Sequence, residues 1–158
     1  MRTTRLHGLT ALLLALALTA CGKDATEPGV QGNGDARMSA RIDGQTWSAS
    51  LALAAGGSQA GAVVAVSGSD QAQRSIAFAF VSAGTGTYEI GPGAPTNALF
   101  SQGSAQWQAA GGQGSGTITV TTLTAERIAG TFAFTAEPAA GGATGTRVVT
   151  QGKFDVEF

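Results

Sequence analysis

From Arg37 onward the chain alternates apolar and polar residues with a period of two. Met38, Ala40 and Ile42 are interleaved with Arg37, Ser39 and Arg41, the pattern of a strand with one face in a core and the other in water. Asp43-Gly44 follows, a dipeptide favoured in two-residue hairpin turns because both of its residues accept positive φ. Such a turn sets Ile42 opposite Gln45, Ala40 opposite Trp47 and Met38 opposite Ala49, so the apolar faces of both strands coincide. A slip by one residue would turn Trp47 to water. Leu51 and Leu53 are expected to continue the Trp47 row.

The alternation recurs downstream. "AVVAV" at 62–66 and "SIAFAFV" at 75–81 are apolar on both sides and suit central strands. "GTYEI" at 86–90 points Tyr88 and Ile90 one way, and "SAQWQA" at 104–109 does the same with Ala105, Trp107 and Ala109. "GTITVTTL" at 116–123 sets Ile118 and Val120 against a threonine ladder, and "RIAGTFAF" at 127–134 aligns Ile128, Gly130, Phe132 and Phe134. "KFDVEF" at 153–158 places Phe154, Val156 and Phe158 against Asp155 and Glu157. Glycine-rich stretches such as "GGSQAG", "GPGAP", "AGGQGSG" and "PAAGGATG" read as the turns between them. No segment after residue 20 carries a helical period. The expected fold is all-β, an antiparallel sandwich or small barrel of about nine to ten short strands.

Upstream of Arg37 the pattern differs. Residues 22–36, "GKDATEPGVQGNGDA", combine glycine, proline and charge without any apolar period and read as a flexible linker, with a span of roughly 20 Å as a coil. Residues 1–20 begin with Arg2 and Arg5, continue through an apolar run from Leu9 to Ala20, and end in small residues. That is the build of a secretory signal, and the run falls well short of the ~20 residues of a membrane span. Leu18-Thr19-Ala20-Cys21 resembles the lipobox of bacterial lipoproteins. The resemblance implies cleavage before Cys21, lipid on its sulfur, and attachment to a membrane of the cell envelope through that lipid. Gly22, with no aspartate there, is similar to the pattern that sends lipoproteins to an outer membrane. The expected organisation is signal 1–20, lipidated Cys21 with linker to 36, and an all-β domain over 37–158.

Composition narrows the chemistry. The chain has 158 residues and one cysteine, with nine basic and ten acidic residues. Loss of residues 1–20 removes Arg2, Arg5 and His7, the lone histidine, and leaves a net charge of −3. No basic patch remains for nucleic acid. Without histidine or a free thiol, nucleophilic triads, zinc sites and haem ligation lack their donors, and no cofactor is implied. Charged residues are only 12% of the chain, so surface faces must be covered by Ser, Thr, Gln, Ala and Gly.

The order of motifs "MSARIDGQTWSAS", "GTYEI", "GSGTITVT", "RIAGTFAFTA" and "VTQGKFDVEF" is similar to that of an uncharacterised family of exported bacterial lipoproteins. The resemblance covers residues 38–158. It implies an all-β domain of unknown function behind a lipidated or cleaved signal, and it carries no catalytic or binding residues. Gln151 stands where the resemblance leads one to expect asparagine.

The residues that remain as candidates have plain structural readings beside them. Asp155 and Glu157 lie two apart on one strand face, ~7 Å apart and within the range of paired carboxylates in inverting glycosidases. Neither is expected to be buried enough to hold a proton, and a charged face that discourages edge pairing explains them as well. Gly56-Gly57-Ser58-Gln59-Ala60 lacks the last glycine of a nucleophile elbow. "GGQGSG" at 111–116 lacks the aspartate of a calcium-binding repeat. Asp43 and Asp70 read as turn residues. The terminal Phe154, Val156 and Phe158 resemble the last strand of an outer-membrane barrel, but aromatic residues total only 6% and most expected strands are too short.

Trp47, Tyr88 and Trp107 fall on apolar rows and are expected in the core; they are also the side chains that would line a ligand cavity inside a barrel. The expected function is a non-enzymatic, lipid-anchored domain that contacts a partner protein or another envelope component. A small-molecule binder built on those three aromatics is the alternative.

Overall fold

The computed structural model describes residues 37–158, and the expected signal, Cys21 and the linker lie outside them. Residues Gln31–Phe158 make a unit of their own. The described residues form β1 (Arg37–Ile42), β2 (Gln45–Ser48), β3 (Leu51–Gly56), β4 (Val63–Ser69), β5 (Arg74–Val81), β6 (Gly86–Ile90), β7 (Asn97–Gln102), β8 (Ala105–Ala109), β9 (Ser115–Leu123), β10 (Arg127–Ala140) and β11 (Arg147–Glu157). The fold is all-β, as the alternation predicts: a curled antiparallel sheet that closes halfway into a barrel.

The curl comes from β10. The main path runs β2-β1-β11-β10-β8-β7-β5-β4-β3. The first part of β10 pairs with β11 on one side and β9 on the other, while Glu137 to Ala140 pair with β8. One strand thus belongs to two wings. The first wing is β2, β1, β11, β10, β9 and β6, and the second is β3, β4, β5, β7 and β8.

The wings face each other across one hydrophobic core. Phe78 of β5 meets Phe132 of β10 and Phe154 of β11, with ring centroids 5.3 and 5.1 Å apart. Burial of rings of this size is worth about 1.5–3 kcal/mol each, so this triad is a main link between the wings.

The first hairpin forms as its sequence dictates. Ala40 pairs with Trp47 and Ile42 with Gln45, Ala49 N–H donates to Met38 O at 2.9 Å, and the turn residues Asp43 and Gly44 have φ of 50° and 81°. Trp47 is 1% exposed. It fits because β4 carries Gly68 beneath it: a Cβ there would come within 3.2 Å of the indole and 2.7 Å of Met38 Sδ.

Four expectations need correction. Leu51 and Leu53 do not continue the Trp47 row; they are 40% and 37% exposed, and Ala52 is buried instead. The chain crosses from the first wing to the second at Ala49-Ser50, and the alternation changes phase there. The sequence reading missed β7. Pro138 does not end a strand but pairs with Trp107 inside β10, where β11 no longer flanks it and its missing N–H costs no ladder bond. Finally, β11 starts at Arg147 rather than Lys153 and is paired on both sides, so Asp155 and Glu157 do not guard an edge.

Strand β11 also bulges. Its register with β1 and with β10 shifts across the same stretch, Thr150 to Gly152, and Gln151 has φ of 52°. The extra residue flips the phase, so that Val149 and then Gly152, Phe154 and Val156 face the core.

Candidate functional site

The three aromatic residues that would line a cavity lie in or against one hydrophobic core, each with its own nearest neighbours. Trp47 packs against Met38 over Gly68. Trp107 packs on Phe100, with centroids 5.5 Å apart, and its Nε1 donates to Gly145 O at 2.7 Å. Tyr88 packs on Phe80 at 4.2 Å, while its hydroxyl donates to Gly84 O at 2.5 Å and accepts from Ala83 N–H at 2.9 Å. Two of the three polar tips are thus spent on holding turns. Among the described residues, the buried Nε1 of Trp47 meets no hydrogen-bond partner.

Each aspartate among the described residues holds an arginine. Asp155 is bound by both Arg127 Nε, at 2.6 Å, and Arg127 Nη2. That double hydrogen bond, outweighing partial burial and helped by the charges of Arg127 and Arg37, holds its carboxyl below the ordinary value. Asp155 is therefore ionised at neutral pH and is not placed to act as a general acid. Asp70 caps the β4–β5 turn. Burial pushes its carboxyl up, but the Arg74 N–H, the Arg74 guanidinium and the Ala72 N–H together bring it below the ordinary value. Asp43 accepts from Val148 N–H at 2.9 Å and from Arg147 at 3.2 Å, which ties the first turn to the start of β11. These are turn and strand ties, as expected for Asp43 and Asp70.

The hollows on the outer face of the first wing were not foreseen. One, of about 380 Å³, is lined by Arg37, Ser39, Thr121, Thr131, Lys153 and Asp155, among others. A second, of about 420 Å³, shares Thr131 and Lys153 with it and adds Thr117, Ala133 and Gln151. A third, of about 260 Å³, shares Thr117 and Ala133 with the second and continues to Thr135 and Thr150. The shared residues make them one open groove. Along β10 it runs from Ala129 to Thr135, roughly 20 Å at strand rise.

The groove has a local cause. Ala129 and Ala133 stand among longer neighbours, and the bulge at Gln151 lifts β11 out of register between β1 and β10. Its chemistry is hydroxyls, one amide, the cations Arg37 and Lys153, and the carboxylate of Asp155, which Arg127 holds. That set donates and accepts hydrogen bonds along a length. The threonine ladder of 117–121 was legible in the sequence, but its place beside Lys153 required the pairing of β9, β10 and β11.

A family model described as a domain of unknown function (DUF6252) matches residues 34–155. No curated protein matches the chain, and no solved structure matches it.

Proposed function

The chain belongs to that family, and on that premise we propose that it is a non-enzymatic, lipid-anchored domain of the cell envelope that contacts a partner protein or envelope component through the outer groove of its first wing. The lipid on Cys21 is the membrane attachment, and the linker over 22–36 lets the domain stand clear of the surface. One observation supports this reading above the others: the carboxylates of Asp43, Asp70 and Asp155 are engaged by arginines, while Lys153 and the threonines of the groove are turned outward. The polar chemistry on offer is suited to holding a polar surface rather than to turning over a substrate.

The test is capture from envelope membranes of the producing cell, with native chain compared against Lys153→Glu and Thr131→Arg. A component retained by the native chain and lost from both variants supports the reading. Identical retention by all three chains would remove the groove from it.

The second reading, a small-molecule binder, draws on the Nε1 of Trp47, which has no partner among the described residues, since a buried donor without an acceptor costs about 1–3 kcal/mol. A ligand with an acceptor at that nitrogen would raise the melting temperature in proportion to the logarithm of its concentration. Trp47→Phe, which deletes the donor and leaves a smaller aromatic ring in the core, would abolish the rise above that variant's own ligand-free melting temperature.

A further inference from the structure

The cations among the described residues sort into two kinds. Arg74, Arg127 and Arg147 are each held by a carboxylate, of Asp70, Asp155 and Asp43. Arg37, Arg41 and Lys153 form no ion pair among the described residues, and all three are exposed on the outer face of the first wing. Register makes them neighbours: Lys153 pairs with Ser39, which lies between Arg37 and Arg41 on β1. The two arginines are about 13 Å apart at strand rise, and Lys153 stands one strand, ~4.8 Å, to the side. Arg37 also faces Asp155 across the ladder, but Arg127 already takes both oxygens of that carboxylate. Arg41 spends one N–H on Gly44 O.

Six cationic and seven acidic side chains lie within residues 37–158. The domain is therefore slightly negative, yet its unpaired cations gather on one face. On that face Glu157 sits opposite Arg127. Glu89 of β6 is three strands from Lys153, about 14 Å at sheet spacing, which exceeds the ~8 Å Debye length at physiological salt. The local field around Lys153 is positive and favours an anionic partner.

The cations end a line of hydroxyls. Thr87, Thr119, Thr131, Lys153, Ser39 and Ser48 pair in turn across the six strands of the wing, and Thr87 and Thr119 touch through their hydroxyls at 3.2 Å. The row is roughly 24 Å long at sheet spacing and crosses the groove at Thr131 and Lys153. It holds no aromatic or large aliphatic side chain, the usual anchors of a protein–protein interface. Hydroxyls both donate and accept, as those of sugars do. Resting on the groove as the contact surface, we infer that its partner is an acidic polysaccharide, whose anionic groups meet Arg37, Arg41 and Lys153 and whose hydroxyls meet the threonine row. A neutral sugar chain would cover these cations without pairing them, at a cost. An acidic peptide fits less well, because an extended peptide adds to a sheet at its edge, and this row lies on the face.

The native chain in a non-ionic detergent serves for the test, by affinity electrophoresis in gels that contain polygalacturonate, dextran sulfate or neutral dextran. Both acidic polymers are expected to retain it and dextran to leave it free, with retention falling about tenfold between about 50 and about 300 mM salt. Lys153→Gln and Arg41→Gln should each weaken retention about threefold. Gln106→Glu, exposed on β8 of the second wing, changes the net charge by the same unit and should behave as native. Indifference to both acidic polymers overturns the inference, and so does an equal loss in Gln106→Glu, which would make net charge the cause. Tighter binding to polyglutamate, or to micelles carrying phosphatidylglycerol, overturns it in favour of a peptide or a lipid surface. Envelope capture that is lost in Lys153→Glu while the native chain ignores both acidic polymers refutes the polysaccharide and keeps the groove; capture indifferent to Lys153→Glu and Thr131→Arg removes the groove itself.

Discussion

Arg147 lies over the face of Trp107, its guanidinium carbon 4.5 Å from the ring centre, and donates at the same time to Asp43 at 3.2 Å. One side chain therefore joins the first turn, the start of β11 and the second wing. Cation–π contact of this kind is worth about 0.5–2 kcal/mol, and the partly exposed ion pair adds less. Arg147→Ala should lower stability by about 1–2 kcal/mol in urea titration. Arg147→Lys should recover only part of that, since an ammonium cannot stack and fork at once. Full recovery by lysine would show that charge alone matters.

The Asp43-Gly44 turn sets the register of the first hairpin. Gly44 has φ of 81° and open space around it, so a side chain there meets no neighbour and its cost is backbone strain alone. Gly44→Val should destabilise by about 1–2 kcal/mol. Chemical denaturation with an unchanged midpoint would mean that the turn relaxes into another type.

Gln151 is the site of the opposite change. At φ of 52° it occupies a region where asparagine is several-fold enriched over other non-glycine residues, which gives a physical reason for the asparagine that the family resemblance leads one to expect. Gln151→Asn should raise stability by roughly 0.5 kcal/mol, and Gln151→Val should lower it by about 1 kcal/mol or more. A pair of melting curves in the reverse order would contradict the bulge geometry.

Much of this fold can be read from alternation alone, and the failures have identifiable causes. A period of two survives a sheet crossover with its phase lost, which is why alternation alone places Leu51 and Leu53 in the Trp47 row while the structure exposes them. The same holds at Gln151, where a bulge flips β11. Strand β7 escaped because only Ala98 and Phe100 mark its buried side. Pro138 reads as a strand end unless one knows that β10 has a single neighbour there. The ion pairs are less legible still: Asp43 and Arg147 are 104 residues apart, and Arg127 meets Asp155 only through the register of β10 with β11. The groove is a property of three strands together, so no single stretch of sequence displays it.

Asp70 and Asp155 set the acid limit of the fold. Both carboxyls lie below their ordinary value of 3.8 in the folded chain, so the unfolded chain binds protons more readily. Their contribution is complete above pH ~4, is lost as pH falls from there through the lowered folded values, and is gone below them. The melting temperature should be level from pH 7 to 5 and decline below about pH 4. Asp70→Asn should start lower and decline less steeply. An unaltered acid slope in that variant would assign the acid sensitivity elsewhere.

The central claim is that the domain is held at a membrane by lipid on Cys21, and metabolic labelling with palmitate followed by detergent phase partition tests it most directly. The native chain should incorporate label and enter the detergent phase. Cys21→Ala should incorporate none. The β-domain exported behind a non-lipid signal should remain in the aqueous phase with an unchanged far-ultraviolet circular dichroism spectrum. Label in the Cys21→Ala chain, or a cysteine-free domain that stays on membranes through salt and carbonate washes, would contradict the account and place the attachment in the β-domain itself.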